Sequence, residues 1–179
     1  MKLYFAPRSR AVRVRWLMEE LETPYELVRL EDAKQLADHP ALEDGEVTLH
    51  EHSAICLLHL ADRFPEKNLA PAVGTADRGS YYQWMSFAEG RIEPAVMEIY
   101  RQSPLPEHQA RASEALRVVD QALGGRQFLV GGRFTAADVM MASILHLAHS
   151  LKLVEAFPRL LEYVRFHTGR PASRKAVMS

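Results

Sequence analysis

Cysteine is almost absent from this chain, since Cys56 is the single cysteine among 179 residues. One cysteine cannot build an internal disulfide framework or a CxxC dithiol centre. Thiol–disulfide exchange through a resident dithiol is therefore excluded.

An excess of charge of either sign is also lacking, because 22 Lys and Arg residues balance 23 Asp and Glu residues. Such a chain has no overall electrostatic attraction for nucleic acid or an anionic membrane. No apolar run approaches the ~20 residues that cross a bilayer. The opening MKLYFAPRSR reaches Pro7 and two arginines after a few apolar residues, which is not typical of a signal peptide. We expect a cytoplasmic protein with no nucleic-acid or membrane partner.

The first part of the chain shows strand and helix patterns in alternation. Lys2–Ala6 is short and apolar, which predicts a buried strand, and Tyr25–Leu30 alternates like a second strand. A helix between them, over Ser9–Glu22, makes a β-α-β unit with parallel strands. A further strand over Glu46–Leu49 and a helix over Ser53–Arg63 follow.

The predicted helix Ser9–Glu22 carries an apolar stripe at three- and four-residue spacing. Its charged residues, such as Arg13 and Arg15, are predicted to cover the remaining surface. Ser9 occupies the place of an N-cap. Thr23-Pro24 ends the helix, because the residue before proline avoids the helical conformation.

The rest of the chain is predicted to be helical. We place the domain boundary in a linker at residues 69–76, between an α/β domain at 1–68 and an all-helical domain at 77–179. Pro94 should kink the first long helix. In the segment FTAADV, Thr135 is predicted to cap the third helix, with Asp138 in the N3 position of a capping box.

Four segments, in this order, resemble the soluble glutathione transferase family, and the resemblance is to bacterial-like members. The segments are KLYFAPRSRAVRVRWLMEELETPYELV, EHSAICLLHLADRFP, FLVGGRFTAADVMMASIL and RPASRKAV, and together they span nearly the whole chain. The resemblance implies a thioredoxin-like N-terminal domain, an all-α C-terminal helical bundle and a homodimer. It also implies conjugation of glutathione, as a substrate, to a small apolar electrophile, the chemistry of detoxification.

A glutathione transferase lowers the pKa of the glutathione thiol, because the thiolate is the nucleophile. A helix N-terminus suits this task, since its free N–H groups and dipole favour negative charge. The family's catalytic serine, cysteine or tyrosine comes from the turn before the first helix. The resemblance therefore assigns Ser9 as the catalytic donor and Arg10 to the glutathione site. A plain N-cap is the alternative role for Ser9, and Tyr4 is a competing donor.

The resemblance also implies a site for the γ-glutamyl end of glutathione. In the family, an acidic residue followed by serine opens the helix after the last strand. Glu51 matches the acid and could pair with the ammonium group. The serine position falls on His52 or Ser53, either of which can donate a hydrogen bond. As alternatives, Ser53 only caps the helix and His52 is a solvated loop residue.

The segment between Leu30 and Asp44 departs from the family pattern, because it is too short for the usual helix and loop. That loop normally ends in a cis-proline, whose preceding residue pairs its backbone with the cysteinyl part of glutathione. Pro40 is either this cis-proline, with the helix lost, or part of an earlier Asn-Pro-like pair, with the cis-proline absent. A genuine deletion removes contacts to the glycine end of glutathione.

Histidines occur in two pairs, His50 with His52 and His146 with His149. Each pair supplies two ligands, whereas a zinc site needs three or four. We therefore expect no metal.

Two other functions remain open beside conjugation. One is a non-catalytic binding or interaction protein that keeps the fold with a damaged glutathione site, as the short segment after Leu30 suggests. The other is a glutathione-dependent peroxidase or isomerase that uses the same thiolate.

Overall fold

The computed structural model describes residues 1–51, 54–101 and 105–178. The chain divides into two compact units. The first contains Met1–Leu69 and the chain from Arg170 onward, and the second is Ala70–Gly169. This division differs from the predicted domain 77–179 at its C-terminal end, because the last helix, Pro171–Val177, lies in the first unit.

The elements of the described residues are four strands and eight α-helices. The strands are β1 (Lys2–Phe5), β2 (Glu26–Arg29), β3 (Leu42–Asp44) and β4 (Val47–Leu49). The helices are α1 (Ala11–Leu21), α2 (Ala54–Arg63), α3 (Ala76–Phe87), α4 (Glu93–Arg101), α5 (Pro106–Leu123), α6 (Ala136–Ser150), α7 (Pro158–Thr168) and α8 (Pro171–Val177).

The first unit is built on a mixed sheet with strand order β2-β1-β3-β4. β1 and β2 run parallel, with Lys2 beside Glu26, as the β-α-β pattern predicts. β3 runs antiparallel to β1, with Leu3 beside Leu42, and β4 runs antiparallel to β3. Alternate residues of β1, Leu3 and Phe5, are buried in the core.

Helix α1 is more deeply buried than the sequence indicates. It ends where Glu22 takes the left-handed conformation (φ 53°), one residue before Thr23-Pro24. Arg13 and Arg15 were predicted to lie on its surface, but only 7% and 8% of their surfaces are exposed. The prediction was wrong because the residues around these arginines are buried on more than one side of the helix.

The short segment before β3 forms a six-residue 3₁₀ helix, Ala33–Asp38, in place of the family's usual helix. Asp32 and Gln35 cap it: the Asp32 side chain accepts a bond from the Lys34 N–H at 3.0 Å. The next strand, β3, was not predicted, because it has three residues and two of them are acidic.

The second unit is helical, as predicted. A π-helical turn, Ala88–Ile92, joins α3 to α4 directly before Pro94. Proline has no N–H to donate to the carbonyl four residues earlier, so the regular helical ladder is interrupted there. A kink at Pro94 was predicted, and the structure has a widened, π-helical turn two residues before it.

Asp138 fills the predicted capping position at the start of α6. Its Oδ2 accepts bonds from the Thr135 N–H at 2.9 Å and the Thr135 hydroxyl at 3.2 Å. Its Oδ1 accepts bonds from the Leu129 N–H at 3.0 Å and the Tyr163 hydroxyl at 2.7 Å. Burial raises the pKa of Asp138, although these donors oppose the shift. The capping role of Thr135 and Asp138 is confirmed.

Candidate functional site

The turn between β1 and α1 carries Ser9. Arg8 takes the left-handed conformation (φ 57°), and the chain enters the helical conformation at Arg10 (φ −60°). The Ser9 hydroxyl donates to the Ala6 carbonyl at 2.6 Å and accepts a bond from the Ala11 N–H at 3.2 Å. Ser9 thus caps the first free N–H of α1, although the N-cap position itself belongs to Arg10, whose side chain is exposed.

Two hydrogen-bond donors of Ser9 bear on its chemistry. Its hydroxyl proton is bound to the Ala6 carbonyl, so the hydroxyl must rotate before it can donate to a thiolate. Its backbone N–H makes no hydrogen bond in the part of the chain that the structure describes. This N–H lies at the helix N-terminus, where a negative group is favoured.

Pro40 lies beside the end of β1. The Tyr4 N–H donates to the Ala41 carbonyl at 3.1 Å, which extends the antiparallel pairing of β1 and β3 by one residue. The same register puts Pro40 next to Phe5. Pro40 and the Ser9 turn therefore lie at the same end of the sheet.

Glu51 follows β4 at this end of the sheet too. The Ala41 N–H donates to the Leu49 carbonyl at 2.6 Å, and Glu51 comes two residues after Leu49. The Glu51 side chain is exposed, and in residues 1–51, 54–101 and 105–178 its carboxylate has no hydrogen-bond or ion-pair partner. Its carbonyl oxygen accepts a bond from the Cys56 thiol at 3.0 Å. His52 and Ser53 lie outside the described residues.

The peptide bond between His39 and Pro40 is trans, so the cis-proline alternative does not hold in this structure. The His39 N–H donates to the Leu36 carbonyl at 3.4 Å. Its imidazole stacks on the Tyr4 ring, with centroids 5.3 Å apart. The backbone N–H of the residue that the resemblance assigns to the cysteinyl part of glutathione is thus bonded within the protein.

The competing donor, Tyr4, also has its hydroxyl engaged in this structure. Its hydroxyl donates to Glu43 Oε1 at 3.1 Å. Partial burial, together with this hydrogen bond, raises the pKa of Tyr4 above its ordinary value. Tyr4 therefore keeps its proton and shares it with Glu43.

Arg15, which the sequence placed on the surface of α1, is instead buried near the site. Its Nη1 donates to the carbonyls of Ala176 and Met178, at 3.2 and 2.8 Å. Its guanidinium lies 5.0 Å from the centroid of the Phe5 ring. The apolar Val14 and Trp16 on either side of Arg15 were the available signal that this part of α1 is buried.

Among the described residues, no three His, Cys, Asp or Glu side chains are grouped as a metal ion requires. No helix there is both long and apolar enough to span a bilayer.

Known proteins resemble this chain over its whole length. Residues 102–166 match the family model of the glutathione S-transferase C-terminal domain. The glutathione S-transferase GstA of Escherichia coli O157:H7 is 22% identical, over 99% of this chain and 97% of the relative. Glutathione S-transferase 3 of Schizosaccharomyces pombe is 25% identical, over 97% of this chain and 85% of the relative.

Solved structures share the fold. A sphingomonad glutathione S-transferase complexed with glutathione superposes with a TM-score of 0.83 at 26% identity, over 99% of this chain and 97% of the other. A glutathione transferase from Methylococcus capsulatus gives 0.84 at 24% identity, over 98% and 96%. The predicted fold, a thioredoxin-like domain with an all-helical C-terminal domain, is confirmed. In sequence and in fold, the chain is thus similar to the glutathione S-transferases.

Proposed function

We propose that this protein conjugates glutathione to a small apolar electrophile and that the turn between β1 and α1 activates the thiol. The observation that carries the proposal is the position of Ser9. It lies at the N-terminus of α1, at the end of the sheet to which Pro40 and Glu51 also belong.

The proposed chemistry begins with the thiol proton leaving for solvent. The Ser9 hydroxyl rotates from the Ala6 carbonyl to the sulfur, and the Ser9 N–H adds a second donor. A hydrogen bond to a charged group contributes about 1.5–3 kcal/mol, which lowers the thiol pKa by roughly one to two units. The thiolate then forms a C–S bond to the electrophilic carbon of the second substrate; with an aryl halide, the carbon–halogen bond breaks and halide leaves with the bonding electron pair.

The γ-glutamyl end of glutathione is assigned to Glu51, with His52 and Ser53 beside it. An exposed carboxylate without a described partner is available to the ammonium group. Arg10, exposed at the start of α1, supplies a cation for a glutathione carboxylate. Pro40 is assigned to the glutathione site by its position at the same end of the sheet, without the role of a cis-proline.

Assembly and location follow the family in this proposal. We expect a homodimer, which sedimentation measures, and a cytoplasmic enzyme. The comparison structure that contains glutathione supports glutathione as the first substrate.

A non-catalytic protein of the same fold is the second candidate. The observation in its favour is the short segment before β3, where a 3₁₀ helix replaces the family's helix and the His39 N–H is bonded to Leu36. Peroxidase or isomerase activity would use the same thiolate with a different second substrate.

The test begins with calorimetric titration of glutathione into the wild-type protein, for which we expect binding in the micromolar to low millimolar range. Ser9→Ala should then lower the rate of conjugation to an activated aryl halide at least tenfold, with the fold intact. The pKa in its pH–rate profile should rise, because the thiolate has lost a donor.

Ser150→Ala is a matched control, since the Ser150 hydroxyl also donates to a carbonyl three residues earlier, at 2.7 Å. An unchanged rate in Ser9→Ala would remove Ser9 from the mechanism. Absence of glutathione binding by the wild type would favour the non-catalytic candidate.

A further inference from the structure

Arg15 is a buried cation that joins three parts of the first unit. It belongs to α1 and lies against the Phe5 ring at the end of β1, 5.0 Å from the ring centroid. Its Nη1 donates to the carbonyl oxygens of Ala176 and Met178 at the end of α8. Since 8% of its surface is exposed, these two carbonyls take the place of water at Nη1, whereas the buried Nε has no hydrogen-bond partner among the described residues.

Two of the elements that Arg15 joins, β1 and α1, flank the Ser9 turn on its two sides. Phe5 directly precedes Ala6, whose carbonyl accepts the Ser9 hydroxyl proton at 2.6 Å. Ala11, the first residue of α1, donates its N–H to Ser9 Oγ at 3.2 Å. Together the two hydrogen bonds span the turn from the end of β1 to the start of α1, and the contact between Arg15 and Phe5 joins the same two elements.

Residues 170–178, here called the C-terminal strap, are fixed to α1 by further ion pairs. Arg170 binds Glu20 in a paired geometry, with Nε–Oε1 at 2.6 Å and Nη2–Oε2 at 2.8 Å. Lys175 Nζ lies 2.5 Å from Glu19 Oε2. A paired arginine–carboxylate contact fixes orientation as well as distance. The strap is therefore fixed at its start by Arg170 and at its end by Arg15.

We propose that the C-terminal strap sets the geometry of the Ser9 turn through Arg15, which acts as a positioning residue for glutathione. The carbonyls of Ala176 and Met178 keep the guanidinium over Phe5. When the strap is loosened, the guanidinium loses these acceptors and turns toward water, because a buried cation requires hydrogen-bond partners. The Ser9 turn then loses the restraint between its two ends.

The test uses three variants of the full chain. Arg15→Met removes the donors, and Arg170→Met loosens the start of the strap while Arg15 is unchanged. Arg174→Met is the matched control, because Arg174 is exposed on α8 and its side chain makes no hydrogen bond or ion pair within the described ranges. The measurements are amide hydrogen exchange at Ala11–Val14 and calorimetric titration with glutathione.

In Arg15→Met we expect exchange at Ala11–Val14 and the Kd for glutathione each to rise about tenfold, since small displacements of a positioning group have effects of this size or larger. Arg170→Met should also raise the exchange rate and the Kd, each by a smaller factor. Arg174→Met should match the wild type.

Wild-type exchange and wild-type Kd in folded Arg15→Met would overturn the proposal, even if its melting temperature fell. If Arg15→Met does not fold, the same result in Arg170→Met would overturn it. The Kd readout rests on the proposed function, but the exchange readout does not. A wild-type protein that fails to bind glutathione would therefore disprove the function and leave the strap to be tested by exchange.

Discussion

Glu19 is a residue whose ionisation contributes directly to the contact between α1 and α8. Its carboxylate accepts the Tyr25 hydroxyl at 2.6 Å and lies 2.5 Å from Lys175 Nζ. Burial alone would raise the pKa of Glu19, but the bonds from Lys175 and Tyr25 outweigh it and lower that pKa. Burial and the bond to Glu19 raise the pKa of Tyr25 to about 12, so Tyr25 stays a donor.

A lowered pKa in the folded state gives stability that is present above the ordinary value of 4.5 and is lost as the pH falls through the folded pKa. Glu19→Gln should therefore reduce the free energy of unfolding at pH 7 by about 2 kcal/mol. The difference from wild type should shrink below pH 4. Urea unfolding at pH 7 and pH 3 measures both.

Glu22→Gln is the control for this prediction, because Glu22 is exposed and pairs with Lys67 at 3.4 Å. An exposed ion pair of this kind contributes at most about 1 kcal/mol. Equal losses in the two variants, or a Glu19→Gln deficit that persists at pH 3, would contradict the role assigned to Glu19.

Single residues were predictable from the sequence where their role is local. Ser9 is an example: its position before an apolar stripe indicates a cap, and its hydroxyl does accept the Ala11 N–H. Arg15 is the opposite case, because its acceptors, Ala176 and Met178, lie at the far end of the chain. No local pattern indicates such a contact.

At the scale of elements, α6 depends on the carboxylate at its start. Asp138 accepts four hydrogen bonds, from Leu129, Thr135 twice and Tyr163. In Asp138→Asn, a side-chain NH2 group would replace one of the two acceptor oxygens. Its N–H bonds would then face the N–H and O–H groups that donate to Asp138. We expect a loss of about 3 kcal/mol in the free energy of unfolding, measured by denaturant titration.

Asp120→Asn is the control for this prediction. Asp120 forms a longer ion pair, with its Oδ2 3.8 Å from Arg159 Nη1. The substitution should cost less than about 1 kcal/mol. If Asp138→Asn were as stable as Asp120→Asn, the network at the start of α6 would not be a main source of stability in the second unit.

The same contrast explains which elements the sequence could predict. The capping box of α6 lies within FTAADV, so the sequence alone indicated it. Strand β3 has three residues, and its pairing with β1 and β4 determines it. The 3₁₀ helix Ala33–Asp38 buries no side chain, so it has no apolar pattern to detect.

At the scale of the whole molecule, the candidate site depends on contacts between distant segments. The Ser9 turn, Pro40 and Glu51 come to one end of the sheet through the pairing of β1, β3 and β4. Physical reasoning from the sequence predicted the first strands and helix, whereas the assignment of these residues to one ligand came from family resemblance. Neither physical reasoning nor family resemblance predicted that the peptide bond before Pro40 is trans.

The first unit is discontinuous in sequence, because the strap from the end of the chain completes it. A chain that ends at Gly169 removes the acceptors of Arg15 and the cations that pair with Glu19 and Glu20. Leaving buried charges without partners is strongly destabilising. We therefore expect amide exchange in β1 and α1 to rise by at least tenfold, while α6 keeps its protection.

Hydrogen exchange measured by mass spectrometry tests this expectation on three proteins. They are the full chain, the chain ending at Gly169 and a chain shortened only by Ser179. The last should behave like the wild type. Because α6 is stabilised by contacts within Ala70–Gly169, such as the one from Tyr163 to Asp138, its exchange should not follow that of α1. Equal loss of protection in α1 and α6 would mean that the strap stabilises the whole chain as one cooperative unit.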